Sequence, residues 1–133
     1  MTTSVLLALH RATHATVHRL ATELVDLDLK PAELNVMATL ADGSARTVSR
    51  LGADVGSKPT TLTGVLDRLE RRELITRGVR AGDRRSVVIT LTPAGEETAA
   101  LIAKTARDLE HRALKGLSDK QIAGFHAVVE ALS

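Results

Sequence analysis

There is no cysteine in this chain, no tryptophan and no tyrosine, and phenylalanine occurs once. Without thiols, disulfides, thiolate zinc sites and sensing by thiol oxidation are excluded. Without aromatic platforms, a binder that stacks the bases of single strands is disfavoured. No apolar run approaches the length of a membrane span, and Met1 to Leu9 lacks the basic start and cleavage site of a secretory signal. The expectation is a cytoplasmic protein with no membrane partner. A metal-ligand cluster, a glycine-rich phosphate loop and a nucleophile motif are also missing, so no catalysis, cofactor or metal is expected.

What is present suits one domain. The 133 residues suffice for a real core, and 44% of them are hydrophobic, which argues against disorder. The net charge is +2 and the isoelectric point near 9.4, which fits a nucleic-acid partner. That charge is uneven. Lys58 to Arg85 holds eight Lys/Arg against four Asp/Glu, a local +4, so the remainder sums to −2.

This stretch, KPTTLTGVLDRLERRELITRGVRAGDRR, has two halves. The first is an amphipathic helix with Leu62, Leu66 and Leu69 on its apolar side. Pro59 suits the first helical position, and Lys58 before it is held extended as the cap residue. Thr60, Thr61 and Thr63 put short hydroxyl side chains at a helix start, where bases and phosphates can approach closely. Threonine also serves ordinary helix starts, so alone these residues leave the reading at even odds. The second half is a short strand from Leu74 to Arg80, a basic tip AGDRR, and a returning β-branched strand from Ser86 to Leu91. Asp83 can fix a neighbouring guanidinium, and Arg84 and Arg85 would then project from a tight turn. Arginine on a narrow projection suits a minor groove.

On either side the pattern is helical. Ser4 to about Leu27 forms a long helix, more apolar than one core contact requires, which points to a second buried face against a partner subunit. His10, His14 and His18 share one side of it and are candidates for ligand or proton binding, against the plainer reading of a polar face without a ligand. Pro31 to Ala41 is a short buried helix. Ala45 to Thr47 is a short strand, and Thr47 caps a helix to about Val55. Gly56-Ser57 then turns into the helix at Pro59, which makes a helix-turn-helix. Thr92-Pro93 starts another long helix, ending near Gly116, and Ser118 to Gln121 is a capping box before the last helix.

Five pieces, in order and spacing, resemble the winged helix-turn-helix of the MarR (multiple antibiotic resistance regulator) family. They are Thr61-Leu62-Thr63, Asp67-Arg68-Leu69-Glu70, Leu74-Ile75 with Arg77, Asp83-Arg84-Arg85, and Leu91-Thr92 with Gly95. The resemblance implies a mainly α (α+β) fold in a single domain spanning 1–133. Within it 31–91 would be the DNA-binding core, and 4–28 and 93–132 long terminal dimerisation helices. It implies a homodimeric transcription regulator, a repressor, that binds double-stranded DNA at a palindromic operator. Contacts would come from Lys58, Pro59, Thr60, Thr61, Thr63, Gly64 and Arg68 on the recognition helix, and from Arg77, Asp83, Arg84 and Arg85 on the wing. Relatives bind small anionic aromatics where the dimer helices meet the reading head, and His10, His14 and His18 are the polar groups nearest to hand for such an effector.

Two residues depart from the family pattern. Gly64 stands where arginine is frequent, which removes about one salt-dependent contact and costs up to ~1 kcal/mol of helix propensity. Glu73 stands where glycine usually ends the recognition helix. Either the backbone there is left-handed, at a cost of roughly 1 kcal/mol, or the helix ends differently. A second function class remains open: a winged-helix module for protein contact, without specific DNA binding. It predicts little salt-dependent affinity for DNA.

Overall fold

The computed structural model describes residues 4–80 and 83–133, with the side chains of residues 80–86 outside the description. Six α-helices and one three-stranded sheet follow in the order α1 (Val5–Glu23), α2 (Pro31–Leu40), β1 (Arg46–Thr47), α3 (Val48–Val55), α4 (Pro59–Arg71), β2 (Ile75–Arg80), β3 (Asp83–Leu91), α5 (Pro93–Leu114) and α6 (Asp119–Leu132). Prolines open α2, α4 and α5, where the missing N–H costs no helical bond. Hydroxyls of Ser4, Thr47, Thr92 and Ser118 accept from the first turns of α1, α3, α5 and α6. The sheet is antiparallel with β3 central, Arg46 opposite Ile89 and Arg77 opposite Ile89 on the other side.

The core joins α2, α3 and α4 to the sheet and to α5. Met37, Leu51, Leu69, Ile89 and Ile102 are wholly inaccessible within it. It accounts for the fold as a winged helix-turn-helix: α3, the left-handed Gly56, and α4 make the turn, and β2–β3 is the wing. By contrast α1 and α6 hold no buried residue, and Leu6, Leu101, Leu117, Phe125 and Leu132 are about half exposed.

Two expectations are corrected. The first helix does not run to Leu27. It ends at Glu23, and a separate 3-10 turn spans Val25–Leu27 before the left-handed Asp28. Arg72, at the end of α4, holds that break by donating to the carbonyls of Asp28 (2.7 Å) and Leu27 (2.8 Å). The returning strand starts earlier than Ser86, because pairing with β2 continues to Arg80 opposite Asp83. Asp83, Arg84 and Arg85 therefore belong to β3 by their backbone. Ala81 and Gly82 of the expected tip, and the side chains of Asp83, Arg84 and Arg85, lie outside the described residues.

The end of α4 resolves the alternatives for Glu73. Its φ is +60°, left-handed, and it occupies the position after the cap in a two-bond closure. The N–H of Leu74 donates to the Leu69 carbonyl (3.1 Å) and that of Glu73 to the Glu70 carbonyl (2.9 Å). Leu69 and Leu74, both buried, supply the apolar contact that accompanies this closure. Glu73→Gly is expected to raise unfolding stability by about 1 kcal/mol in urea titrations. A decrease would mean that the glutamate backbone is not strained there.

Arg46 ties β1 to both neighbouring helices. It donates to Asp42 (2.6 and 3.0 Å), to Asp54 (3.0 Å) and to the Thr39 carbonyl (2.9 Å). The Arg46 guanidinium, helped by the Ser44 N–H, holds the Asp42 carboxyl at about 2, below its ordinary 3.8. A depressed carboxyl stabilises the fold fully above its unfolded value, and that contribution is lost as pH falls through about 2. The thermal midpoint should therefore drop between about pH 4 and pH 2, less steeply in Asp42→Asn. Parallel slopes for the two proteins would exclude this pair as a source of acid sensitivity.

Candidate nucleic-acid interface

The helix α4 buries one side and presents the other. Leu62, Val65, Leu66 and Leu69 are inaccessible, whereas Lys58, Pro59, Thr60, Thr61 and Thr63 are exposed and Gly64 is half-buried. Lys58 caps the helix with an extended backbone (φ −68°, ψ 149°); its ammonium, a donor only, cannot serve the N–H groups of the helix start and stands exposed. Thr63 Oγ1 donates its proton to the Pro59 carbonyl (2.9 Å). In that rotamer its lone pairs accept hydrogen bonds, which matches a base amino group or a cation rather than a carbonyl. By helical spacing Thr60, Thr63 and Gly64 lie together on the open side, away from the buried leucines.

Arg77 has a different setting from the other basic residues. From β2 its Nη2 reaches Asp67 (2.7 Å) and Glu70 (2.9 Å), and its Nε reaches Glu70 (3.2 Å). Asp67 and Glu70 stand one turn apart on α4, so a single guanidinium straps the wing to the recognition helix. Arg77 lowers the Glu70 carboxyl from its ordinary value, and Glu70 and then Asp67 raise the Arg77 guanidinium above its own. The sequence did hold a signal for this: two acids three apart on a helix, followed by an arginine on the next strand. Arg68 lies near the buried Glu33 of α2, its Nε 3.5 Å from the carboxylate. Sequence reasoning missed Glu33, because an acid in a first helical turn reads as ordinary dipole complementation.

The histidines stand on the surface of the first helix. His10, His14 and His18 are exposed on α1, with the rings of His14 and His18 edge to face at 4.4 Å. Hollows in the described residues lie on the outer face of the sheet around Thr76, Val88 and Thr90, between α3 and α4, and beside Glu23 and Arg112. Glu23 and Arg112 are joined by an ion pair that links α1 to α5. Among the described residues no helix is long and apolar enough to cross a membrane.

This arrangement agrees with known proteins. The family model described as "MarR family" matches residues 29–87, the helix-turn-helix and most of the wing. The solved structure of transcriptional regulator PA3341 superposes with a TM-score of 0.88 at 29% identity, covering 95% of this chain and 93% of that one. Over residues 29–87 the chain is similar to the MarR family. Among curated relatives, the HTH-type transcriptional repressor MdtR of Bacillus subtilis is 36% identical over 66 residues, half of this chain. The chain spans less than two thirds of the length of the curated regulators it matches, 43% in the case of MdtR. The fold is also that of NadR, solved in complex with 4-hydroxyphenylacetate, with a TM-score of 0.87, 21% identity, and coverage of 98% of this chain and 93% of that one.

Proposed function

We propose that this chain is a regulator of the MarR type, a DNA-binding transcription repressor that grips a palindromic operator as a homodimer. The observation that carries the reading is the α4 start. Exposed Lys58, Thr60, Thr61 and Thr63 stand on a helix whose opposite side is locked into the core, directly beside a two-stranded wing. In this reading residues 31–91 are the reading head. Lys58, Pro59, Thr60, Thr61, Thr63, Gly64 and Arg68 meet the major groove and its phosphates, and Arg84 and Arg85 meet the flanking minor groove, with Asp83 as their positioner. Arg77 acts through its strap to Asp67 and Glu70, fixing the angle between wing and helix. Two-fold symmetry then requires half-sites about one helical turn apart.

Residues 4–28 and 93–132 serve as dimer arms. The half-exposed Leu6, Leu101, Leu117, Phe125 and Leu132 support this, since an unpartnered surface rarely carries so many large apolar side chains on its terminal helices. Sedimentation is expected to give a dimer at micromolar concentration, with an interface of ~2,000 Å² or more. A monomer there would remove the dimer and the palindrome together.

The effector in this reading is a small aromatic carboxylate, as NadR is solved with 4-hydroxyphenylacetate. His10, His14 and His18 are its candidate polar partners from α1. The test begins with selection of sites from random double-stranded DNA. The selected site is then titrated with and without 4-hydroxyphenylacetate at pH 6 and pH 8, for the parent and a His10/His14/His18→Ala variant. Selection of a palindrome is expected, together with an effector- or pH-dependent affinity that the variant loses. No selected sequence would favour the protein-contact module, and identical titration curves would leave the histidines without a sensing role.

A further inference from the structure

Among the described residues, Glu33 is the buried charged side chain, 3% exposed. From the third position of α2 its Oε1 accepts the Lys30 backbone N–H at 3.4 Å. A carboxylate withdrawn from water requires a cation, and Arg68 of the recognition helix supplies it, Nε to Oε1 3.5 Å. The Arg68 Nε is itself shut off from solvent and makes no hydrogen bond, and the Glu33 carboxylate is the charge beside it. The other end of the side chain is open. Arg68 Nη1 lies 3.6 Å from the point where a Cβ on residue 64 would stand, and residue 64 is glycine. Arg68 is 38% exposed against 4% for the Glu33 side chain, so the pair is anchored inside and free outside.

We propose that Glu33 is a positioning residue for DNA recognition: it holds the Arg68 guanidinium by the Nε edge, so that the Nη edge lies across the gap left by Gly64 and meets the DNA there. The inference rests on the DNA-reading function proposed above. It turns the loss of a side chain at position 64 into a rearrangement, with the cation delivered from one turn further along α4. Side chains on a helix lean toward its N-terminus, so Arg68 covers the turn that contains Gly64. Two coplanar Nη donors match a pair of acceptors, either two oxygens of a phosphate or O6 and N7 of a guanine. Because Glu33 compensates its charge, Arg68 adds little to attraction for DNA in general. Its fixed direction favours a correctly placed acceptor pair, and so the distinction between the selected site and other DNA.

The test uses the site that the parent selects from random duplexes. Affinities for that site and for an unrelated duplex are measured for the parent, Glu33→Gln, Arg68→Ala, Gly64→Leu and the Glu33→Gln/Gly64→Leu double variant, with thermal unfolding of each. Glutamine keeps the acceptor for the Lys30 N–H and nearly the same volume. Leucine at 64 favours the helix and takes the space of the Nη edge, so it tests the idea without touching the buried end. Each single variant is expected to narrow the ratio of specific to unspecific affinity by about tenfold, the discrimination carried by one bidentate contact. Glu33→Gln should bind the unrelated duplex as well as the parent or better, since it frees a cation. The double variant should be no worse than Gly64→Leu, as both remove one contact. Reselection then separates the acceptors: an altered preference at one base pair identifies guanine, and a preference weakened evenly across the site identifies a phosphate that fixes the register. Unchanged ratios, or ratios that fall only in step with unfolding, overturn the inference while leaving the DNA-binding reading intact. A parent that selects no site overturns both.

Discussion

Alanine at position 95 is expected to lower unfolding stability by about 3 kcal/mol or more, among the largest effects of any single methyl group in this protein. A Cβ on residue 95 would stand 1.9 Å from the Leu74 carbonyl oxygen and 2.9 Å from its carbon. These are backbone atoms at the junction of α4 and β2, where the chain cannot swing a side chain aside. The same junction is tied by three bonds. The Leu74 carbonyl accepts the Thr92 N–H (3.1 Å), Thr92 Oγ1 donates to the Glu73 carbonyl (2.7 Å), and the Gly95 N–H donates to Thr92 Oγ1 (2.9 Å). To admit a methyl group the start of α5 must move away from the end of the recognition helix, and those bonds lengthen together. Overpacking alone costs ~1–3 kcal/mol, and each weakened bond adds ~1. Urea unfolding of Gly95→Ala measures the sum. Gly124→Ala is the control, since nothing lies within 4 Å of its added methyl group and the residue is helical. Equal stability of the parent and Gly95→Ala would show that α5 can slide on the reading head at no cost.

Gly95 marks the boundary of what could be read in advance. Leu91-Thr92 with Gly95 stood out as part of a family pattern, yet the reason for the glycine is a contact with a carbonyl twenty-one residues earlier. The elements themselves were legible because their signals are local. Pro31, Pro59 and Pro93 each open a helix, Thr47, Thr92 and Ser118 cap one, and the β-branched run to Leu91 is a strand. The pairings were not legible. Arg72 reaches the carbonyls of Leu27 and Asp28 from more than forty residues away, and that contact holds the turn that follows the first helix. Arg77 looked like one more cation for DNA, because composition counts charges but not partners. Only the packing of β2 against α4 shows that its charge is already met by Asp67 and Glu70. Glu33 carries no local signal, because its partner Arg68 comes near it only where α4 packs over α2.

Arg77, its charge met by two carboxylates, is set apart from the arginines expected at the tip of the wing. Alanine at both Arg84 and Arg85 is expected to flatten the plot of log K against log salt by up to ~1.8, or ~0.9 for each phosphate that is no longer neutralised. From counterion release alone, affinity at 0.15 M salt should fall roughly fivefold for each such phosphate, or about 30-fold for the pair. Asp83→Ala should have a smaller effect, since it removes a positioner and no cation. Arg77→Ala is expected to behave differently. Its guanidinium is held by two carboxylates at 2.7 and 2.9 Å and so neutralises no phosphate in this reading, and its removal leaves the number of released counterions unchanged. What it removes is the strap, and Asp67 and Glu70 are left as like charges one turn apart, which costs stability at the end of α4. Arg77→Ala should therefore weaken binding to the selected site with a nearly unchanged salt slope, and lower the thermal midpoint as well, whereas Arg84→Ala/Arg85→Ala should change the slope and leave the midpoint in place. Salt titrations and thermal unfolding of the two variants decide this in one set of measurements. A full slope change in Arg77→Ala would make it a direct DNA contact despite its carboxylates. An unchanged slope and affinity in the double arginine variant would take the wing out of DNA binding and favour a module for protein contact.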